Sequence, residues 1–213
     1  MTLMKHDLSS AVPTVAVIED DDAMRDSIEF LLQSVGYTTI GFPSAAAFKL
    51  AELISPPNCL VVDVRLPGLS GLDFQTELAS DGTNIPIVFV SGYADIPMAS
   101  RAMRTGAVDF LTKPFRDQDL LDAVALAVDR NRASIEQERT KSTYQSLFGS
   151  LTKREQEVIA NVASGLMNKQ IAAKMGLSEV TVKLHRGNAM HKLGVRSVPD
   201  LVRVVDTLGI ARR

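Results

Sequence analysis

The sequence has little of what disulfide-bonded, metal-thiolate or membrane-spanning proteins require. A single cysteine, Cys59, excludes an internal disulfide framework and any zinc or iron–sulfur site built from cysteines. No apolar run approaches the roughly 20 residues that span a bilayer. The N-terminal MTLMKHDLSSAVP lacks the apolar centre of a signal peptide. With 46% hydrophobic and 23% charged residues, the 213-residue composition is globular, and we expect a soluble, cytoplasmic protein of one or two domains.

The net charge of −2 conceals an uneven distribution of charge. Residues 1–124 carry 8 basic and 17 acidic side chains, a balance of −9, and residues 125–150 stand at +1. Residues 151–213 carry 11 basic and 5 acidic side chains, a balance of +6. This asymmetry predicts two modules with different partners. The basic end favours nucleic acid, although charge alone suits any anionic surface.

Short apolar runs alternate with amphipathic stretches in the first half. The predicted strands are 14–18, 37–41, 59–62, 86–90 and 109–112. The predicted helices lie near 23–35, 44–54, 71–79 and 98–105, with a fifth after Phe115. This order predicts an α/β fold, a doubly wound (βα)5 domain whose parallel sheet is covered on both faces. From about residue 127 the apolar periodicity fades, so the fifth helix either runs on into solvent or breaks into a flexible connector.

The last third of the chain carries the signals of a small helical domain. Residues Thr152–Glu155 form a capping box at the start of a helix. Asn168 can cap a second, short helix, and Ser178, which closes the turn 176–178, can cap a longer third one. A short helix, a glycine turn and a longer helix form the helix-turn-helix pattern, and residues 201–208 supply a closing helix. We therefore expect an all-α four-helix domain here.

Charged or hydroxyl side chains follow four of the five predicted strands. The first strand is followed by Glu19–Asp22, the third by Asp63, the fourth by Ser91 and the fifth by Lys113. Ligands of open α/β sheets bind beyond the carboxyl ends of the strands. Converging carboxylates repel one another, and a hard cation such as Mg²⁺ or Mn²⁺ relieves this repulsion. With a lysine beside them, these groups predict an aspartate that accepts a phosphoryl group.

Each of these motifs has a plainer interpretation when it is taken singly. An acidic run after a strand is usually a solvated turn or a helix cap, and Lys-Pro at a strand end is usually loop chemistry. Their joint placement at one edge of the predicted sheet favours the functional interpretation.

The strand ends resemble those of the receiver domains of bacterial two-component response regulators. The matching segments are Val17–Asp22, Val61–Gly68, Val88–Gly92 and Phe110–Phe115. The resemblance implies that a sensor histidine kinase phosphorylates Asp63. Its implied Mg²⁺ ligands are Glu19, Asp20, Asp63 and the backbone carbonyl of Arg65.

The same resemblance implies further roles at this edge of the sheet. Lys113 would stabilise the phosphoryl group, Ser91 and Phe110 would be the switch residues, and the bond before Pro114 would be cis. Asp21 and Asp22 fall outside the acidic pair and are expected to cap the first helix. A haloacid-dehalogenase-like phosphatase would need a second aspartate two positions after the nucleophile, where this chain has Arg65. We therefore expect no turnover enzyme, only a receiver that catalyses its own phosphorylation and dephosphorylation.

The helix after Ser178 is predicted to have two dissimilar faces. A seam of Val182, Ala189 and Leu193 should pack on the core. Its outward-facing residues could read base edges, and cations on its flanks could contact phosphates. This arrangement fits a helix in the major groove. The outward half carries Val180, Lys183, Leu184, Gly187, Asn188 and His191, with His185, Arg186 and Lys192 on its flanks. Asn168 and Lys169 could hold a phosphate at the preceding helix N-terminus.

A bundle with a solvated basic face is the alternative interpretation of this region. Metal binding by its two histidines is not expected, because they are six residues apart. The segments Leu151–Val158, Asn168–Ala172 and Val180–His185 resemble the LuxR-type DNA-binding domain. That resemblance implies base contacts by Lys183, Leu184 and the position of Gly187, and phosphate contacts by Thr181 and His185. Gly187 departs from the longer polar or basic residue often found there, and Asn188 is its candidate substitute.

Together the two resemblances point to the FixJ-like branch of response regulators. We expect an N-terminal tail over residues 1–12, a receiver over 13–124, a helical linker over 125–147 and the DNA-binding domain over 148–213. Phosphorylation would pair two receivers through the fourth helix and fifth strand, so that a homodimer binds double-stranded DNA and acts with RNA polymerase, as an activator in most of this branch. Two alternatives remain: an interaction protein that uses the receiver without binding DNA, and a constitutive DNA binder with a vestigial receiver.

Overall fold

The computed structural model describes residues 12–92 and 96–210. The chain divides into two compact units, the first ending at Ser134 and the second beginning at Ile135. The predicted N-terminal tail, apart from Val12, lies outside the described residues. No helix in the described ranges is both long and apolar enough to cross a membrane.

The first unit contains a five-stranded parallel sheet. Its strands are β1 (Thr14–Ile18), β2 (Thr38–Phe42), β3 (Cys59–Asp63), β4 (Ile87–Ser91) and β5 (Asp109–Thr112). Their order is β2-β1-β3-β4-β5, and every neighbouring pair is parallel. The chain reverses direction across the sheet between β1 and β3, so their carboxyl ends flank the switch point where ligands bind. The predicted doubly wound fold is confirmed.

Helices cover both faces of this sheet. They are α1 (Asp22–Ser34), α2 (Ala45–Leu50), α3 (Gly71–Ser80), α4 (Ile96–Arg104) and α5 (Asp117–Gly149). One core cluster joins the sheet to α2, α3 and α4, and the other joins it to α1 and the first part of α5. The strands β3 and β4 are buried along their whole length. They can be covered on both faces because their residues are almost all apolar.

Two helices differ from what their sequences suggest. The stretch predicted as a helix over 44–54 is helical only to Leu50, because Phe48 anchors it to the core while Leu50 and Ile54 are exposed and gain nothing from continuing the helix. The helix α5 is continuous for 33 residues, so of the two alternatives left open the helix runs on and no flexible connector interrupts it. Its early residues, such as Leu120, pack on the sheet, and residues near its end, such as Phe148, pack in the second unit.

The second unit is helical. It adds α6 (Lys153–Ala163), α7 (Asn168–Met175), α8 (Glu179–Lys192) and α9 (Val198–Thr207) around one core. Gly176 ends α7 with a left-handed φ of 66°, a conformation that glycine adopts without strain. Ser178 caps α8, as predicted, by accepting a hydrogen bond from Thr181 N at 3.1 Å. The expected cap at Asn168 is wrong, because that residue already lies in α7.

The N-cap of α7 is Met167 instead. Its backbone N–H is satisfied by the side chain of Gln170, whose Oε1 accepts it at 2.8 Å. The Asn168 side chain therefore does not cap this helix. The order α6 to α9, with a tight turn between α7 and α8, confirms the helix-turn-helix fold.

Candidate functional site

The carboxyl ends of β1, β3 and β5 bring two buried carboxylates to one ammonium group. Lys113 Nζ donates to Asp63 Oδ2 at 2.6 Å and to Glu19 Oε2 at 2.7 Å. Glu19 and Asp63 are only 2% and 6% exposed, whereas Asp20 lies at the surface. One oxygen from each of these three carboxylates lies within 4.8 Å of the others. The strand ends thus form an acidic pocket of Glu19, Asp20, Asp63 and Lys113.

The charges in this acidic pocket are not balanced. Burial raises the pKa of Glu19, and the neighbouring Asp63 acts in the same direction, while the hydrogen bond from Lys113 opposes both. Burial alone would lower the pKa of Lys113, but hydrogen bonds to Asp63 and Glu19 outweigh it and the pKa is raised. Lys113 therefore stays charged, and one cation faces three carboxylates. An all-oxygen donor set with excess negative charge fits a divalent ion such as Mg²⁺ or Mn²⁺.

The backbone around Asp63 is fixed by the start of α3. Arg65 N donates to Asp63 Oδ1 at 2.8 Å, and Gly71 N donates to Val64 O at 3.0 Å. A Cβ at Gly71 would overlap the carbonyl oxygen of Asp63. Gly71 was predicted only as the start of a helix, so this role was missed, although a glycine at a helix start was an available signal.

The predicted switch residues lie beside the acidic pocket on β4 and β5. Ser91 is completely buried at the end of β4, and its carbonyl accepts from Lys113 N at 2.8 Å. Phe110 is half-buried, with its ring centroid 6.2 Å from that of Phe89. The Lys113–Pro114 bond is cis, as the resemblance implied.

The rest of the acidic run following β1 has separate functions. Asp21 caps α1 by accepting from Met24 N at 2.9 Å, which confirms the expected cap. The same expectation is wrong for Asp22, which is the first residue of α1 and forms an ion pair with Arg25. Neither residue belongs to the cluster of carboxylates that could hold a metal ion.

Two cavities adjoin the acidic pocket. One, of about 670 Å³, is lined by Asp20, Arg65 and Met98 among others. The other, of about 690 Å³, lies between α1 and the segment that follows β5, and its lining includes Phe30 and Phe115. The aromatic ring of Phe30 is mostly exposed.

The helix α8 presents the outward face that the sequence predicts. Its seam of Val182, Ala189 and Leu193 is buried. On the opposite side Val180 and Leu184 are 78% and 61% exposed. The remaining predicted contacts divide by exposure: Lys183, Gly187 and Asn188 are exposed, while Thr181, His185 and Arg186 are half-buried.

The predicted phosphate contacts at the margin of α8 have partners within the protein. Asn168 Oδ1 accepts from Arg186 Nη1 at 3.2 Å, which ties α7 to α8, while Lys169 is exposed. Lys192 Nζ donates to Glu155 Oε2 at 2.7 Å, and this buried carboxylate also accepts from Thr152 N at 2.8 Å. The capping box predicted the Thr152 bond, but nothing local in the sequence indicates the one from Lys192.

Comparisons with known proteins match both units. Residues 15–125 match the response regulator receiver domain, and residues 149–205 match bacterial regulatory proteins of the luxR family. The chain is 52% identical over 206 residues to nodulation protein W of Bradyrhizobium diazoefficiens, covering 97% of this chain and 91% of that protein. It is 40% identical over 197 residues to transcriptional regulatory protein FixJ of Azorhizobium caulinodans, covering 92% and 93% respectively. A solved structure of response regulator StyR matches with a TM-score of 0.79 at 44% identity, covering 92% of this chain and 99% of that chain.

Proposed function

The chain belongs to the two-component response regulators that carry a LuxR-type DNA-binding domain, and on this premise we propose that phosphorylation of Asp63 by a sensor histidine kinase controls its binding to DNA. The observation that carries the proposal is the contact of Asp63 with Lys113 at 2.6 Å, in a pocket with Glu19 and Asp20. We assign residues 13–124 to the receiver, 125–147 to a helical linker and 148–213 to the DNA-binding domain. This regulator works in the cytoplasm, where its DNA lies.

In the proposed transfer, a carboxylate oxygen of Asp63 attacks the phosphorus of a phosphohistidine in line with the departing nitrogen. The O–P bond forms as the P–N bond breaks, and the electron pair of that bond leaves with the kinase imidazole. Lys113 neutralises charge on the phosphoryl oxygens, and Arg65 N–H orients the carboxylate through Oδ1. The receiver thus catalyses its own phosphorylation and, with water as the attacking group, its own dephosphorylation.

The acidic pocket would hold Mg²⁺, or Mn²⁺, through Glu19, Asp20, Asp63 and the backbone carbonyl of Arg65. When bound, the ion supplies positive charge to the phosphoryl oxygens. Without it, three carboxylates would repel the anionic phosphoryl group.

Phosphorylation would change the surface of α4 and β5. The Ser91 hydroxyl would bond a phosphoryl oxygen, and the Phe110 ring would move into the space beside it. The helix α4 packs beside the edge strand β5 and exposes apolar groups, with Ile96 86% exposed. An exposed apolar face beside a sheet edge suits self-association. We propose that two phosphorylated receivers pair through this face.

The paired chains would bind adjacent half-sites of double-stranded DNA. On α8, Lys183, Leu184 and Asn188 would contact base edges, with Gly187 leaving a gap between them. Phosphate contacts would come from the flanks of α8 and the start of α7: Asn168, Lys169, Thr181, His185, Arg186 and Lys192. Recruitment of RNA polymerase by the bound dimer would make the protein an activator.

The kinase would dock beside the acidic pocket on α1. The cavity between α1 and the segment after β5 is lined by Phe30, Lys113 and Phe115, so it combines apolar surface with a residue of the acidic pocket. A partner seated there would bring its phosphohistidine next to Asp63. Phosphorylation by a small donor would not need this surface.

The proposed phosphorylation can be tested with acetyl phosphate and MgCl₂, followed by intact-mass spectrometry. The wild-type chain should gain one phosphoryl group, and Asp63→Asn should gain none. Asp21→Asn is the matched control, because Asp21 caps α1 and lies outside the carboxylate cluster. A wild type that stays unmodified would point to a vestigial receiver, and a modified Asp63→Asn would place the acceptor elsewhere.

Control of DNA binding can be tested by selecting DNA targets with the phosphorylated chain and measuring affinity with and without phosphorylation. Lys183→Ala should weaken binding to the selected sites, whereas Arg154→Ala, at an exposed ion pair on α6, should not. Equal affinity before and after phosphorylation would indicate a constitutive DNA binder. No salt-dependent binding at all would indicate an interaction protein.

A further inference from the structure

The backbone of Glu19 is held on both sides by groups outside the acidic pocket. Its N–H donates to Phe42 O on β2 at 3.0 Å, and its carbonyl accepts from Arg25 Nη1 on α1 at 2.8 Å. The Arg25 side chain is only 15% exposed. Hydrogen bonds from a charged donor that is shielded from water are stronger than ordinary ones. The peptide between Glu19 and Asp20 is therefore anchored by Arg25.

Asp22 orients Arg25 for this bond. One terminal nitrogen of the guanidinium pairs with Asp22 and the other donates to the Glu19 carbonyl. The planar guanidinium makes these two bonds in a fixed relation, which a lysine cannot reproduce. Asp22 thus supports the start of the acidic run without entering the pocket.

Gly41 on β2 provides the space that Arg25 occupies. A Cβ at Gly41 would lie 3.0 Å from Arg25 Cδ and would overlap Glu29 Oε1. Glu29 is itself held in place, since its Oε2 accepts from Thr39 Oγ1 at 3.0 Å. The two long side chains of α1 therefore cross β2 at the position that has no side chain. Arg25 and Glu29 could not both keep these positions over a larger residue.

We propose that Arg25 is a positioning residue for the metal-binding end of β1, with Gly41 giving it room. By fixing the Glu19 carbonyl, Arg25 determines the orientation of the peptide between Glu19 and Asp20. This orientation in turn places the carboxylates of both residues near Asp63. This inference rests on the proposed function, because it takes the three carboxylates to be Mg²⁺ ligands.

The test is the Mg²⁺ affinity of the full chain, measured by isothermal titration calorimetry without any phosphodonor. Loss of a charged hydrogen bond should weaken Mg²⁺ binding in Arg25→Ala on the order of tenfold. Arg25→Lys, which keeps one donor, should recover part of the affinity. Arg132→Ala, at an exposed ion pair on α5, is the matched control and should bind as wild type.

Gly41→Ala should also weaken Mg²⁺ binding, but less than Arg25→Ala, because a Cβ there overlaps the flexible end of Glu29 and only crowds Arg25 Cδ at 3.0 Å. If both variants act through the same bond, the double variant should bind Mg²⁺ no more weakly than the weaker single variant. Circular dichroism melting curves separate this effect from unfolding. A variant affected at Arg25 should bind Mg²⁺ more weakly than a control variant with the same melting temperature.

Wild-type affinity in Arg25→Ala would overturn the positioning role and leave the proposed function intact. Additive losses in the double variant would also overturn it. Should Arg25→Ala fail to fold, equal affinities of Arg25→Lys and the wild type would have the same meaning. A wild-type chain that takes up no Mg²⁺ would overturn both proposals.

Discussion

The two oxygens of the Asp63 carboxylate have different partners. One accepts from a backbone N–H of the following loop, and the other accepts from Lys113, which also serves Glu19. A single ammonium group therefore compensates two buried carboxylates. Removing one member of a buried ion pair leaves an uncompensated charge, which costs more than the pair contributes.

Replacing Lys113 should affect both the stability of the protein and its phosphorylation, and Mg²⁺ should restore only the stability. Without Mg²⁺, Lys113→Ala should lower the free energy of unfolding by about 2–4 kcal/mol, because Glu19 and Asp63 lose their shared cation. Added Mg²⁺ should restore much of this loss, while phosphorylation by acetyl phosphate stays impaired. Urea denaturation with and without MgCl₂ measures the first effect, with Lys49→Ala, at an exposed ion pair with Glu77, as control. Equal losses in both variants would contradict the shared-cation interpretation.

A methyl group at Gly71 should disturb Asp63 through the backbone. Gly71→Ala should lower stability by about 1–3 kcal/mol and slow phosphorylation, because neither α3 nor the Asp63 carbonyl can move independently. Gly187→Ala is the opposite case, since nothing lies within 4 Å of a Cβ there; it should stabilise its helix by about 0.5–1 kcal/mol. Differential scanning calorimetry of the full chain compares the two. If Gly71→Ala left the stability unchanged, the proposed clash between a Cβ at this position and the Asp63 carbonyl would be refuted.

An ion pair between the buried carboxylate of Glu155 and the more exposed Lys192 joins the start of α6 to the end of α8. Glu155 is part of the α6 capping box and also accepts from Lys192. The hydrogen bond from Lys192, assisted by the backbone N–H of Thr152, lowers the pKa of Glu155. Lys192 therefore fixes α8 to the core as well as being one of the proposed phosphate contacts.

This pair should make the second unit sensitive to acid. Because the folded pKa of Glu155 is depressed, its stabilisation is complete above the ordinary value of 4.5 and is lost as pH falls through the folded value. Glu155→Gln should lower the melting temperature at neutral pH and flatten the decline below pH 4.5. Calorimetry across pH tests this, with Glu157→Gln as the exposed control. Parallel acid declines in wild type and Glu155→Gln would contradict it.

Local patterns predicted most elements and most of their ends, and the end of α2 is the exception. The strands were placed to within one residue of the structure at each end, since apolar runs flanked by polar residues determine them. The helix α2 ends early because tertiary burial at Phe48, and not local propensity, decides its length. The acidic pocket was predictable because its residues each follow a strand. The contacts of Arg25, Gly41 and Lys192 were not, since they depend on how separate elements pack.

Across the whole molecule, acidic and basic charge are separated along the same boundary as the two family matches. The receiver match covers the acidic part, and the luxR match covers the basic part. A single small basic domain neutralises few phosphates, so its affinity for DNA is weak and depends on salt. Two linked copies raise the effective concentration of the second copy at the DNA. With the proposed pairing of receivers, control of association would also be control of DNA binding.

Pairing through α4 should therefore be required for tight DNA binding and not for phosphorylation. Ile96→Asp should leave the reaction with acetyl phosphate intact but keep the phosphorylated chain monomeric in sedimentation velocity. Its affinity for DNA should drop to that of the unphosphorylated protein. Ile54→Asp, an exposed isoleucine between α2 and β3, is the control and should dimerise normally. A phosphorylated Ile96→Asp dimer would rule out this face.

The complete burial of Cys59 gives the first unit a native chemical reporter. The thiol sits in the centre of the sheet beside Val15, and burial raises its pKa, so a thiol-directed reagent cannot reach it in the folded state. Since no other cysteine exists in the chain, its labelling rate measures opening of the sheet alone, independently of events in the helical unit. Mg²⁺ should slow that labelling by about tenfold for each 1.4 kcal/mol that it adds to the free energy of unfolding.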